Sequence, residues 1–127
     1  MPCPKTVVHV DDNPEMAEMV TALFSDCPVN WLIAPTGADG LRLARELQPD
    51  LVVLDLVLPD MSGRDVFLQM QADAQLKDIP VWVLSVIWWK ANLFPWHEPS
   101  IVSYTFKPFD LVQFREQVLS LLGIELQ

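Results

Sequence analysis

Leu51-Val52-Val53-Leu54-Asp55-Leu56-Val57-Leu58-Pro59 is the stretch on which the fold turns. Four apolar residues in a row, with two valines at the centre and no alternation, suit a strand buried on both faces. The run breaks at Asp55, and a carboxylate inside an apolar segment is costly unless it is paired. The strand therefore ends there, with an acid at its carboxyl end. Outward on either side the pattern recurs. Residues 6–10 are β-branched apart from His9 and stop at Asp11-Asp12; residues 29–34 make a weaker run; residues 79–84 close at Ser85; residues 101–106 close at Lys107.

Helical patterns fill the intervals. Asn13-Pro14 reads as an N-cap with proline at the first helical position, followed by Met16, Val20, Leu23 and Phe24 on one face. Residues 37–47 place Gly40, Leu43, Ala44 and Leu47 on a stripe, and Ser62 to Asp65 has capping-box spacing ahead of Val66, Phe67 and Met70. Asp110 caps a last helix with Leu111, Phe114, Val118 and Leu121 inward, and Gly123 is placed to end it. The fourth helix is short: Pro95 and Pro99 limit it to about residues 86–94, because proline in a helix interior costs about 3 kcal/mol. Five strand–helix alternations imply an α/β, doubly wound parallel sheet with right-handed crossovers and helices on both faces. There is no repeat, low-complexity tract or linker, so residues 1–127 read as one domain.

Eight Lys plus Arg against seventeen Asp plus Glu leave a net charge of −9 and no basic cluster. Binding to a phosphate backbone needs clustered cations, so nucleic acid is not expected as a partner. A hydrophobic content of 51% with 20% charged residues excludes disorder. The longest near-apolar run, residues 81–89, is far short of the roughly 20 residues of a membrane span, and the start is no signal peptide. A cytoplasmic protein with free thiols at Cys3 and Cys27 is expected, and no membrane partner. His9 and His97 stand isolated and read as structural or exposed.

In a doubly wound sheet ligands bind beyond the carboxyl ends of the strands. Asp11, Asp12, Asp55, Ser85 and Lys107 all gather at that edge. Each pair of carboxylates 4 Å apart repels by about 4 kcal/mol at an effective dielectric of 20, and Lys107 offers a single positive charge. A hard divalent cation with oxygen ligands, Mg²⁺, supplies the remainder. A site of this kind suits a phosphoryl group, with a carboxylate as the nucleophile that forms an aspartyl phosphate.

At these residues the chain resembles the receiver domain of two-component response regulators. The match lies in Val10-Asp11-Asp12, in Asp55 to Pro59 with Asp60-Met61-Ser62-Gly63, in Ser85, and in Lys107-Pro108-Phe109. Asp12, Asp55, Ser85 and Lys107 follow at separations of 43, 30 and 22 residues. The resemblance implies a flavodoxin-like, CheY-like fold with strand order 2-1-3-4-5. It implies Asp55 as phosphoacceptor, with Mg²⁺ held by Asp11, Asp12, Asp55 and the backbone carbonyl of Val57. Ser85 would contact the phosphoryl group, Lys107 would pair with it, and Tyr104 matches the switch aromatic. Pro108 would follow a cis peptide bond. The implied donor is a sensor histidine kinase or phosphotransfer protein. Output would pass through the face made by the fourth helix, fifth strand and last helix, to a downstream protein target or a homodimer partner. Such a protein is no separate enzyme, though it assists its own phosphotransfer and dephosphorylation.

The chain also departs from that family. Val86 stands where Ala or Gly is usual, and Val57 and Ile87 are apolar where polar groups often govern phosphoryl loss. These bulky side chains are expected to exclude the attacking water and prolong the phosphorylated state. Trp88, Trp89, Phe94 and Trp96 either fill a core left short by the truncated helix or form an aromatic interface, since Trp is enriched among interface hot spots. The alternative function is a phosphorylation-independent interaction or dimerisation module with the same fold. A hydrolase would need an acid where Val57 stands, and a flavin-binding protein would need a hydroxyl- and glycine-rich loop where Asp11-Asp-Asn-Pro14 stands. Only residues 123–127 follow the last helix, so no separate output domain is expected.

Overall fold

β1 (Lys5–Val10) is the hub of the sheet. It pairs in parallel with β2 (Val29–Ala34) on one side, His9 opposite Ile33, and with β3 (Leu51–Leu54) on the other, His9 opposite Val53. β4 (Val81–Ser85) lies beyond β3, and β5 (Ile101–Phe106) closes the sheet, giving the order 2-1-3-4-5 with every pair parallel. The computed structural model describes residues 4–85, 101–106 and 110–124, with the backbone alone at Ser85, Ser103, Tyr104 and Phe106. The short helix expected over residues 86–94 lies outside the described residues, as do Cys3, Trp88, Trp89, Phe94, Trp96, His97, Lys107 and Pro108.

Among the described residues the helices are α1 (Pro14–Leu23), α2 (Gly37–Leu47), α3 (Gly63–Gln71) and α4 (Leu111–Leu121). Each opens with a side chain that accepts a backbone N–H of its first turn: Asn13, Thr36, Ser62 and Asp110. A cap of this kind is worth about 1 kcal/mol. At the far end of α4, Gly123 adopts φ +73° while Ile124 N–H reaches Leu119 C=O at 2.9 Å, the six-residue closure that a left-handed C-terminal glycine permits. No helix among the described residues is long and apolar enough to cross a membrane.

Strand alternation divides the interior into two clusters. Val8, Val10, Val52, Leu54, Val81 and Val83 face α2 and α3, where they meet Leu41, Ala44, Val66, Phe67 and Met70. Val7, Leu51, Val53, Trp82 and Leu84 face α1 and α4, and pack with Val20, Phe24, Trp31, Phe114, Val118, Leu119 and Leu122. Each fully buried apolar side chain contributes about 1.5–3 kcal/mol. Both faces of the sheet are therefore covered, as its uninterrupted apolar runs require.

Two helix stripes differ from the sequence expectation. In α2 the buried residues are Gly37, Gly40, Leu41 and Ala44, while Leu43 is half-buried and Leu47 exposed. The smallest residues face the sheet because the helix lies close: a Cβ on Gly40 would come within 2.6 Å of Val10 Cγ2. In α4 the buried set is Phe114, Val118 and Leu119, continued by Leu122, while Leu121 is exposed. There the contact row follows the i, i+4 ridge toward the aromatic cluster rather than the i+3 step.

Candidate functional site

The reversal of strand order between β1 and β3 opens a crevice at their carboxyl ends. Asp11 and Asp55 continue the ladder one residue past the strands: Asp11 N–H donates to Ala34 C=O and Asp55 N–H to Val10 C=O, each at 3.0 Å. Their backbones are therefore fixed by the sheet. Each side chain then folds over the turn that follows. Asp11 Oδ1 accepts Asn13 N–H at 3.0 Å, and Asp55 Oδ1 accepts Val57 N–H at 3.0 Å. Acidic side chains favour this two-residue hydrogen bond because it mimics a backbone turn.

Asp11, Asp12 and Asp55 each present a carboxylate oxygen, and these three atoms lie within 4.8 Å of one another. Asp11 and Asp55 are buried and Asp12 is exposed. Three hard oxygen donors, two of them shielded from water, form a set suited to a hard divalent cation and ill suited to a soft one. An open groove runs from the acids along α1, lined by Pro14, Ala17 and Thr21 with Ile33 and Pro35 opposite.

The loop after β3 is held at both ends. Gly63 N–H donates to Leu56 C=O at 2.9 Å, and Val57 bridges Ser62 in antiparallel fashion. Gly63 is required by proximity: a Cβ there would come within 2.7 Å of Leu56 Cα and would collide with Asp55 C=O. Asp60, at the tip, accepts Gly37 N–H and Ala38 N–H on α2. Those two backbone hydrogen bonds hold its carboxyl below the usual carboxylate range. Val57 is 44% exposed, and its N–H engages Asp55.

Of the other residues singled out from the sequence, Ser85 ends β4 beside Phe106, and Tyr104 lies in β5 beside Val83. Lys107 and the aromatic set of Trp88, Trp89, Phe94 and Trp96 lie outside the described residues, as do Val86 and Ile87. Two residues of the site escaped the sequence reading. Asp60 was legible only as part of a motif, because its helix partner is 22 residues away. His9 is not isolated: it is fully buried, accepts Trp31 Nε1–H on Nδ1 at 3.3 Å, and places Nε2 3.4 Å from Asp11 Oδ2. The two-residue period of a strand sets positions 7, 9 and 11 on one face, which was the available signal.

Comparison with known proteins agrees with this architecture. The sequence matches the family model for the response regulator receiver domain over residues 7–119. It is 30% identical over 120 residues to the polar-differentiation response regulator DivK of Brucella anthropi, covering 94% of this chain and 98% of DivK. It is 34% identical over 103 residues to the DNA-binding response regulator MtrA of Mycolicibacterium smegmatis, covering 81% of this chain but only 44% of MtrA. Among solved structures, the receiver domain of a sensor histidine kinase from Pseudomonas aeruginosa PAO1 superposes with a TM-score of 0.82. That pair is 18% identical, with 94% of this chain and 98% of the other covered, and the other holds a magnesium ion in its active site cleft. The chain belongs to the response regulator receiver domain family of two-component systems.

Proposed function

We propose that the protein is a phosphorylation-activated switch that takes a phosphoryl group onto Asp55 from the phosphohistidine of a sensor histidine kinase or phosphotransfer protein in the cytoplasm. The observation that carries this is the convergence of the Asp11, Asp12 and Asp55 carboxylates within 4.8 Å at the switch point of the sheet. An acid cluster of that density is self-repelling and gains from a cation, which can then also offset the charge of an added phosphoryl group. Mg²⁺ held by Asp11, Asp12, Asp55 and the Val57 carbonyl would neutralise charge on the phosphoryl oxygens.

The chain's own residues supply position. Asp55, pinned through Oδ1 to Val57 N–H, presents a carboxylate oxygen to phosphorus; the new P–O bond forms as the P–N bond of the donor breaks, and the imidazole leaves on the donor. Holding the acceptor in place in this way is the main contribution a protein makes to phosphoryl transfer. The groove along α1 gives the donor an apolar wall to approach. Lys107 pairs with the added charge and Ser85 donates a hydrogen bond to a phosphoryl oxygen. Tyr104 follows the change inward, altering the face that includes β5 and α4. Output passes through that face by protein contact, to a downstream target or a second copy, with Trp88, Trp89, Phe94 and Trp96 adjoining it in sequence. The protein is an acceptor that assists its own transfer and dephosphorylation, not a free-standing enzyme.

The test is incubation with Mg²⁺ and a small phosphodonor such as acetyl phosphate, read by intact mass. The expected product carries one acid-labile phosphoryl group and is absent from Asp55→Asn. Labelling that survives in Asp55→Asn, or no labelling of the wild type, would overturn the assignment.

A further inference from the structure

Three polar or charged side chains are buried among the described residues. Asp11 and Asp55 belong to the acid cluster; the third is His9, to which the phosphoacceptor chemistry gives no task. Its surroundings are specific. Trp31, opposite Val7 in the β1–β2 register, reaches diagonally across the strand pair and donates its indole N–H to His9 Nδ1 at 3.3 Å. The donor cannot swing away: the indole stacks on Phe24 at 4.4 Å and 6°, and meets Phe114 edge-on at 6.4 Å. An indole N–H only donates. His9 Nδ1 must therefore accept, and the imidazole carries its proton on Nε2.

That nitrogen stands beside the acid cluster. His9 Nε2 makes no hydrogen bond, and Asp11 Oδ2 stands 3.4 Å from it. Asp11 Oδ1 is meanwhile engaged by Asn13 N–H. The carboxylate thus has a backbone donor on one oxygen and the edge of the His9 imidazole beside the other.

We propose that His9 is a positioning residue for metal binding: fixed as the Nε2–H tautomer by Trp31, it sets the orientation in which Asp11 meets the cation. This rests on Asp11 being a ligand of the ion. Groups that hydrogen-bond to metal-ligating side chains typically govern metal affinity by 10–100-fold, and an apolar residue at position 9 would fill the core without supplying the donor. At 3.4 Å the contact is longer than a hydrogen bond, and binding of the cation is expected to shorten it.

The experiment uses the whole chain and Mg²⁺ alone. Long-range proton–nitrogen spectra are expected to show His9 protonated on Nε2, and Mg²⁺ is expected to move the His9 ring and Trp31 indole resonances, the latter assigned with Trp31→Phe. By calorimetry, His9→Leu is expected to weaken Mg²⁺ binding about 10–100-fold, and His9→Gln, whose amide N–H can stand near the Nε2 position, to recover most of the loss. A proton on Nδ1, or wild-type affinity in a folded His9→Leu, overturns the proposal. Should His9→Leu not fold, Trp31→Phe carries the test: Mg²⁺ affinity and tautomer both unchanged there would overturn it. Asp11→Asn separates the two layers. Equal Mg²⁺ uptake by wild type and Asp11→Asn, or none by wild type, removes the ligand assignment together with the His9 proposal. A loss in Asp11→Asn with none in His9→Leu removes the His9 role alone.

Discussion

The carboxylate of Asp60 accepts the backbone N–H of Gly37 at 2.8 Å, and so ties the loop that follows the acceptor strand to the first turn of α2. Its second oxygen takes Ala38 N–H at 2.9 Å. Two unpaired helix donors and the positive end of the helix dipole thus meet one anion. These bonds lower the Asp60 pKa from 3.8. A carboxyl whose folded pKa lies below its unfolded one adds stability that is fully present above the unfolded value and disappears as pH falls through the folded one. Asp60→Ala is therefore expected to shift the urea midpoint downward at neutral pH. The gap between the two proteins should close as the solution is acidified below pH 3.8. Parallel urea titrations across pH check this; a gap that persists unchanged in acid would mean that the loop is held by something other than this charge.

Gly63 tests how tightly α3 presses on Asp55, the proposed acceptor. A Cβ at this position meets Leu56 Cα at 2.7 Å and the Asp55 carbonyl oxygen, all backbone, so no side-chain rotation relieves the contact. Overpacking of this kind costs about 1–3 kcal/mol. Gly63→Ala is expected to lose stability in that range by chemical denaturation and to slow labelling of Asp55, because the residue whose backbone must give way is the proposed nucleophile. A variant with wild-type stability and labelling rate would show that the loop has slack.

Asp55→Asn separates stability from chemistry. With the Asp11, Asp12 and Asp55 oxygens within 4.8 Å, removing one negative charge relieves repulsion that the fold otherwise bears for function. Without Mg²⁺ the variant is expected to be more stable than wild type by about 0.5–2 kcal/mol, the usual range for a single stabilising substitution. Adding Mg²⁺ should raise the wild-type melting temperature by mass action and the variant's by less. Thermal melts with EDTA and with Mg²⁺ give both comparisons, and a variant less stable than wild type in EDTA contradicts them.

The parts of the fold legible in the sequence are those where one residue type does one thing. Asp55 ends an apolar run, Asn13-Pro14 opens a helix and Gly123 closes one; each shows in local pattern because its cause is local. The strand order 2-1-3-4-5 is not local, and rested on the resemblance rather than on periodicity. The helix stripes misled where tertiary packing chose the face: Gly40 lets α2 approach Val10 so closely that Leu47 is displaced to the surface. His9 was hidden for the same reason. One histidine in a strand reads as core until the β1–β2 register brings Trp31 to it.

Val57 bears on how long the proposed switch stays on. Its N–H fixes Asp55 Oδ1, while its side chain stands 44% exposed beside the acceptor. Loss of the phosphoryl group requires a water to reach phosphorus in line, and a polar side chain two residues past the acceptor could hydrogen-bond and orient that water. Valine can do neither. Substituting Val57→Asn keeps the backbone N–H that positions Asp55 and adds both a donor and an acceptor. The phosphorylated form is therefore expected to decay several-fold faster in Val57→Asn. Val86→Ala, which shortens the side chain that follows Ser85 in sequence, is expected to act in the same direction. Decay of labelled Asp55 after removal of the phosphodonor measures both, with Mg²⁺ held constant so that only the water's access differs. A wild type that decays faster than Val86→Ala would show that these apolar side chains do not protect the acyl phosphate.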